Sequence, residues 1–419
     1  MKHKLISTVD YYKSVITELD RNIKLLFISH FLWFMGLGLY LTLWPLYLKE
    51  LGADPKLIGL ITSLSLLIAT LTFLPGGYLS DILGRKKLML FGWLLATPSA
   101  LVFALAPDWK IITLGIFLYH LSFILIPALD AYIAMYSPSD KLHFSYTFVY
   151  VLGSSSLIFS PVIGGFIAQN LGIRSIFYFS FFLYLLSSLV IFFLASDKKR
   201  EPKLSKPTKT TVLPLEKPSF ILPILKYLLG FSLLVLLLYP VNPFIYIFLQ
   251  EYKNINLLQV GYLGSIGGVG SFLFAFLVEK YHKDKNCILA LAITLVITAL
   301  LLILLFRSIY IMVMAIFLLG ASRSIEPLMK GVVATFIDEK NRAWGMSIFN
   351  TFIGVSAMIA PSIGGWLYAQ NPITPFVLSI SWGVLGVTIF WVHRNKMRGI
   401  LVIGQDVIEE IFAKTTRKL

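Results

Sequence analysis

Apolar residues run along this chain in long blocks separated by short polar gaps, and few charges interrupt the blocks. They lie near 25–48, 57–80, 88–106, 111–136, 145–169, 175–195, 221–249, 258–278, 287–306, 309–336, 344–369 and 374–392. Crossing a bilayer takes about 20 apolar residues at about 1.5 Å each, so twelve transmembrane helices are predicted. Gaps such as "GADP", "APDW" and "NPIT" are turn sequences. The stretch 196–220 differs: it is basic, Pro-rich and without apolar period, and reads as a linker. The expected organisation is a polar segment 1–24, a six-helix bundle 25–195, the linker, a second bundle 221–392 and a tail 393–419.

Composition agrees with this pattern. The chain is 57% hydrophobic and 14% charged, where soluble domains average about 45–50% and about 25%. A net charge of +15 could point to nucleic acid. However, the Lys and Arg fall in the gaps between apolar blocks rather than on one face, so no nucleic-acid partner is expected. Of the 36, 27 lie on the side that holds the N-terminus and 6 in the opposite loops. The positive-inside rule then predicts a multi-pass cell-membrane protein with both termini and the linker in the cytoplasm. Cys287 is the one cysteine, which excludes an internal disulfide or a Cys-based metal site. The polar first 24 residues do not read as a cleaved signal peptide.

The two halves repeat. "SPVIGGFIAQN" at 160–170 recurs as "APSIGGWLYAQN" at 360–371, and "GGYLSDILGRKK" at 76–87 has a looser partner in "FAFLVEKYHKDK" at 274–285. Similar halves with a site between them at the membrane midplane are a common transporter plan. The stretch from Gly77 to Lys87 resembles the signature G-x-L-x-D-x-x-G-R-[RK]-[RK] of the major facilitator superfamily, found between its second and third spans. Gly77, Leu79, Asp81, Gly84, Arg85, Lys86 and Lys87 match every fixed position. Its counterpart is degenerate, with Ala275, Glu279 and His282 at three fixed positions. The resemblance implies a cytoplasmic gate at Gly77, Asp81, Gly84 and Arg85, with Asp140 as the carboxylate expected to meet Arg85. Gly77 and Gly84 would allow close helix approach and a tight turn. Plain positive-inside anchoring explains the basic triplet equally well, but not Asp81 or the glycines. Pro161-x-x-Gly164-Gly165 resembles part of the family's antiporter motif, with Ser156 and Ser160 in place of two glycines, and reads as a packing and bending feature.

Span ten carries Arg323, Glu326 and Lys330 within about 60° of one helix face. Intramembrane charges are costly and usually functional. The repeat sets Lys330 against Asp130 of span four, and the resemblance implies that spans four and ten line the central cavity. Asp130, Arg323, Glu326 and Lys330 are therefore the expected site, with the two cations holding an acidic group on a substrate and Glu326 or Asp130 carrying a proton. A self-neutralising i,i+3 and i,i+4 stripe is the competing explanation. His30 and His120 titrate in a useful range but also suit packing, and Asn242 between Pro240 and Pro243 marks a break in span seven. Trp33, Tyr40 and Trp44 read as core and interfacial aromatics. The glycine cluster from Gly261 to Gly270 reads as close packing.

No zinc-protease motif, phosphate-binding loop or metal cluster stands in the sequence, so no enzyme, cofactor or ATP-driven pump is expected. The expectation is an all-α transporter, a functional monomer moving a small polar solute, anionic or zwitterionic, coupled to protons or another ion. A proton-driven exporter of drugs or hydrophobic cations is the alternative, and a non-transporting receptor the alternative from another class.

Overall fold

The computed structural model describes residues 17–137, 142–196, 235–236, 239–281, 285–323 and 342–388. Among these, Arg21–Tyr40, Pro55–Phe73, Arg85–Leu105, Trp109–Tyr136, Phe144–Leu171, Ser175–Phe192 and Leu257–Phe274 are long and apolar enough to cross a membrane. They coincide with expected spans one to six and eight. Ala290–Leu305, Ile309–Arg323 and Thr374–Thr388 are the described parts of spans nine, ten and twelve, and Arg342–Gln370 is span eleven. Span seven is described from a 3-10 turn, Asn242–Phe244, into the helix Ile245–Lys253. The architecture is two six-helix bundles. The linker after Ser196 lies outside the described residues.

Turn chemistry sets the helix starts. Asp20, Asp54 and Asp108 each cap a helix, accepting from the main-chain N–H of Asn22 (2.7 Å), Leu57 (2.8 Å) and Lys110 (2.9 Å). Between spans two and three, Gly84 adopts φ 89° and ψ 147°, a conformation nearly closed to side-chain-bearing residues. Gly84→Ala is expected to cost about 1–3 kcal/mol, read as a lower thermal midpoint of the purified protein.

Spans one and five, like spans four and seven, depart from regular helix next to a proline. Span one stops at Tyr40, turns through Leu41–Leu43 and resumes as Trp44–Glu50, with Pro45 in its first turn. In span five, where the Pro161 motif reads as a bending feature, Thr147–Leu152 is a π turn and Gly153–Ile158 a 3-10 turn before the helix Ser160–Leu171 begins. Pro161 supplies no N–H, and its ring crowds the carbonyl four residues earlier, so one bond of the helical ladder is lost there.

The core of the first bundle is aromatic and hydroxylic. Trp33 is 9% exposed and stacks on Tyr184 at 4.3 Å, and Tyr40 shares a 2.8 Å hydrogen bond with the Tyr184 hydroxyl. Trp93 donates to Ser187 Oγ at 2.7 Å, and Ser187 donates to the Ser29 carbonyl at 2.8 Å. These bonds tie spans one, three and six together where lipid offers polar groups no partner. Trp33 and Tyr40 are thus core residues, as expected, and Trp44 is half-buried against Phe103. In the second bundle, Val296, Leu300 and Ile303 of span nine and Met312, Ala315 and Leu319 of span ten are all buried.

The signature segment is corrected at one position. Among the described residues, nothing lies within 4 Å of the point a Gly77 Cβ would occupy. One residue earlier is about 100° around the helix, and it is Gly76 that presses on the Ile124 carbonyl of span four. Asp81 is exposed and Arg85 half-buried, while Asp140 lies outside the described residues. Lys86, a fixed position of the signature, donates to the Leu194 carbonyl at the end of span six. Asn22 accepts from Ala195 N–H at 2.8 Å, and Tyr132 and Tyr136 donate to the carbonyls of Ala195 and Ser196 at 2.7 and 2.8 Å. Together they hold the point where the chain leaves the first bundle.

Candidate functional site

Asp130 sits in the helix Ile126–Tyr136, the second segment of span four, after a 3-10 turn at Ser122–Leu125. It is half-buried, and span five holds it twice. Tyr150 donates to Asp130 Oδ1 at 2.7 Å, and Tyr146 donates to the Asp130 main-chain carbonyl at 2.8 Å. The two tyrosine rings stack, 6.4 Å apart and 8° from parallel. The π turn beginning at Thr147 places Tyr150 in this position.

His30 packs against the same tyrosine, its ring edge-on to Tyr150 with centroids 5.3 Å apart. It is 5% exposed, and its Nδ1 has no hydrogen-bond partner among the described residues. His120 is different: its Nδ1 donates to the Ile116 carbonyl at 2.9 Å, one turn back on its own helix. The structure thus joins His30 to the Asp130 cluster and leaves His120 with a local packing bond.

In the second half, Arg323 is exposed at the end of the described part of span ten. Its Nη2 donates to Asn242 Oδ1. The 3-10 turn after Pro240 therefore presents Asn242 to the guanidinium. Glu326 and Lys330 lie outside the described residues. No hydrogen bond or ion pair among the described residues joins Asp130 to Arg323; each is held within its own half.

The two halves meet along two matching seams. Span two packs on span eleven and span five on span eight, glycine against glycine. A methyl added at Gly261 would lie 2.9 Å from the Gly165 Cα, and one at Gly365 would lie 3.1 Å from the Gly59 Cα. Beside each contact a serine crosses the seam. Ser265 Oγ accepts from Val162 N–H at 3.1 Å, and Ser63 Oγ accepts from Ser362 N–H at 3.0 Å. Both N–H groups follow the prolines of the repeated Pro-x-x-Gly-Gly, so the packing role expected for that motif holds. At the same face, Lys49 of span one pairs with Glu251 of span seven, which also accepts from the Tyr368 hydroxyl of span eleven at 3.1 Å. Sequence reading missed the serines, although Gly59-x-x-x-Ser63 and Gly261-x-x-x-Ser265 are small-residue pairs one helical turn apart in corresponding spans.

Comparison with known proteins agrees with this architecture. The profile of the Major Facilitator Superfamily matches residues 26–306 and 268–407. The chain belongs to the major facilitator superfamily. Among curated proteins, a quinolone resistance protein, NorA, of Staphylococcus aureus (strain COL) is 26% identical over 395 residues, covering 91% of this chain and 99% of NorA. An uncharacterized MFS-type transporter of Methanocaldococcus jannaschii is 25% identical over 281 residues, 64% of this chain and 69% of that protein. Among solved structures, the nucleoside transporter NupG superposes with a TM-score of 0.71 at 16% identity, over 89% of this chain and 99% of that one. A bacterial homologue of the lysosomal transporter Spinster gives 0.68 at 15% identity, over 92% and 97%. As a facilitator-superfamily member the chain is a multi-pass membrane transporter protein.

Proposed function

We propose that this protein is a proton-coupled secondary transporter for an amphipathic organic solute that carries an aromatic body, an acidic group and a basic group. The observation that carries the reading is the presence of one anion and one cation on equivalent spans, each held within its own half. Asp130 of span four is held by Tyr150 and Tyr146, and Arg323 of span ten by Asn242. An exposed arginine in an apolar span faces water or a solute rather than lipid. Arg323, with Lys330 beyond it, holds the acid; Asp130 holds the base or, like Glu326, a proton. Similarity to a quinolone resistance protein over nearly the whole chain supports export as the direction. It also keeps export of hydrophobic cations as a second reading, in which Asp130 alone selects the cargo.

The excess of Lys and Arg on one side of the spans supports a cytoplasmic location for both termini and the linker. The face on which Lys49 pairs with Glu251 is then the outer one. Each chain works as a monomer built from the bundles 25–195 and 221–392, and the segment from Gly77 to Arg85 with Asp140 is its inner gate. The test is flux of a fluorescent aminoquinolone carboxylic acid in proteoliposomes under an imposed pH gradient. Gradient-driven accumulation is expected. Saturable binding with no flux under any gradient would establish a receptor in its place.

A further inference from the structure

Span five leaves regular α geometry where it passes between spans one and four. The π turn Thr147–Leu152 is followed directly by the 3-10 turn Gly153–Ile158. A π turn within a span is rare, and such turns frequently stand at functional sites. Here the consequence is the position of Tyr150. Its hydroxyl donates to Asp130 Oδ1 at 2.7 Å, and its ring meets His30 edge-on at 5.3 Å. Tyr146 stacks on it but bonds only the Asp130 main chain. Tyr146 therefore pins the backbone, and among the described residues Tyr150 alone bonds the carboxylate.

His30 is the unexplained member of this group. Its Nδ1 is buried with no partner among the described residues. Leaving a buried polar atom unpaired costs about 1–3 kcal/mol, and each such atom calls for a reason. The rings around it are Phe34 of its own helix, Trp93 of span three and Tyr150 of span five. The Trp93 N–H is already given to Ser187 Oγ. Tyr150 is thus the one titratable group among these neighbours with a donor that could be redirected. Spans one and five also approach closely here, since a methyl on Gly153 would lie 2.9 Å from the His30 Cβ.

A phenol has one proton to donate and serves one acceptor at a time. We propose that Tyr150 is the residue that couples protonation of Asp130 to movement of span one. Its hydroxyl donates to the Asp130 carboxylate when that group is ionised, and turns to Nδ1 of His30 when Asp130 carries a proton. Tyr150 keeps its own hydrogen throughout. The proton that arrives on Asp130 comes from water and returns to water, and only the hydrogen-bond partner of Tyr150 changes. Span one runs from His30 through the turn at Leu41–Leu43 to Lys49, which pairs with Glu251 on the far face between the halves. The exchange at Tyr150 therefore reaches the element that latches that face. Tyr150 and His30 are positioning residues in this scheme.

The proposal rests on the reading of the protein as a proton-coupled transporter, and the experiment separates the two. Full-length protein in proteoliposomes is assayed with the fluorescent aminoquinolone carboxylic acid in two modes: accumulation driven by a pH gradient, and gradient-free counterflow. Tyr150→Phe and His30→Gln are each expected to lower the ratio of driven accumulation to counterflow by about fivefold or more, the low end of coupling between linked sites. Tyr146→Phe, which leaves the carboxylate bond intact, is expected to keep the ratio within about twofold. An unchanged ratio in either Tyr150→Phe or His30→Gln, or an equal fall in Tyr146→Phe, would overturn the coupling role. A wild-type protein with no gradient-driven accumulation would overturn the coupled-transporter reading, and this proposal with it.

Discussion

Gly165→Val and Gly365→Val should each reduce transport by about a hundredfold while leaving both bundles folded. The added side chains meet backbone, the Cα of Gly261 in one seam and of Gly59 in the other, so no flexible side chain can yield. Overpacking of this kind costs about 1–3 kcal/mol, and the upper figure shifts a two-state equilibrium by about a hundredfold. The cost falls only on the state in which this face is sealed. Each variant should therefore populate the state with the face open and stall there. A cysteine replacing Ser63, in a Cys287→Ser background, reports the change through labelling by a membrane-impermeant maleimide from the side opposite the linker. The unmodified seam should protect it, and Gly365→Val should expose it. Glu251→Gln should act in the same direction but more weakly. Its partner Lys49 has a side chain 41% exposed, and exposed ion pairs contribute only about 0–1 kcal/mol. Normal transport by both glycine variants would mean that closing this face is not part of the cycle.

How much of this was visible in the chain depends on the range of the interaction. Span count follows from hydropathy, because lipid forces every span to satisfy its own backbone, and the described helices fall where the apolar blocks do. The matched halves follow from Pro161 and Pro361 with the glycine pairs after them. Contacts set by helix rotation were less legible. Gly77 was expected to be the close-packed glycine, yet one residue of helical phase gives that contact to Gly76. Local irregularity was less legible still. Pro161 announces a break, but not that the chain would answer with a π turn and a 3-10 turn, and so not that Tyr150 would reach Asp130. Cross-bundle pairs such as Ser63 with Ser362, or Lys49 with Glu251, join residues hundreds of positions apart. No local pattern encodes them.

A cargo bearing both charges should lose affinity in a group-specific way when either end of the site is neutralised. Truncating one partner of a desolvated charge pair costs about 2–5 kcal/mol, or about 30- to 4000-fold in affinity. Arg323→Gln should therefore weaken binding of the free acid by about a hundredfold and bind its methyl ester as well as the acid. Asp130→Asn should weaken binding of the amine by a similar factor and accept the N-acylated analogue equally well. Asn242→Ala should have a smaller effect of the same kind as Arg323→Gln, because it removes the carbonyl that orients the guanidinium and leaves the charge in place. The measurement is a dissociation constant for the parent and its two capped analogues against each purified variant. A uniform loss across all three ligands would show that the variants disturb packing. Loss in Asp130→Asn of gradient-driven accumulation, with its preference between amine and N-acyl analogue unchanged, would make Asp130 a proton carrier only. Selection of the cargo would then rest on Arg323 and the residues of span ten beyond it.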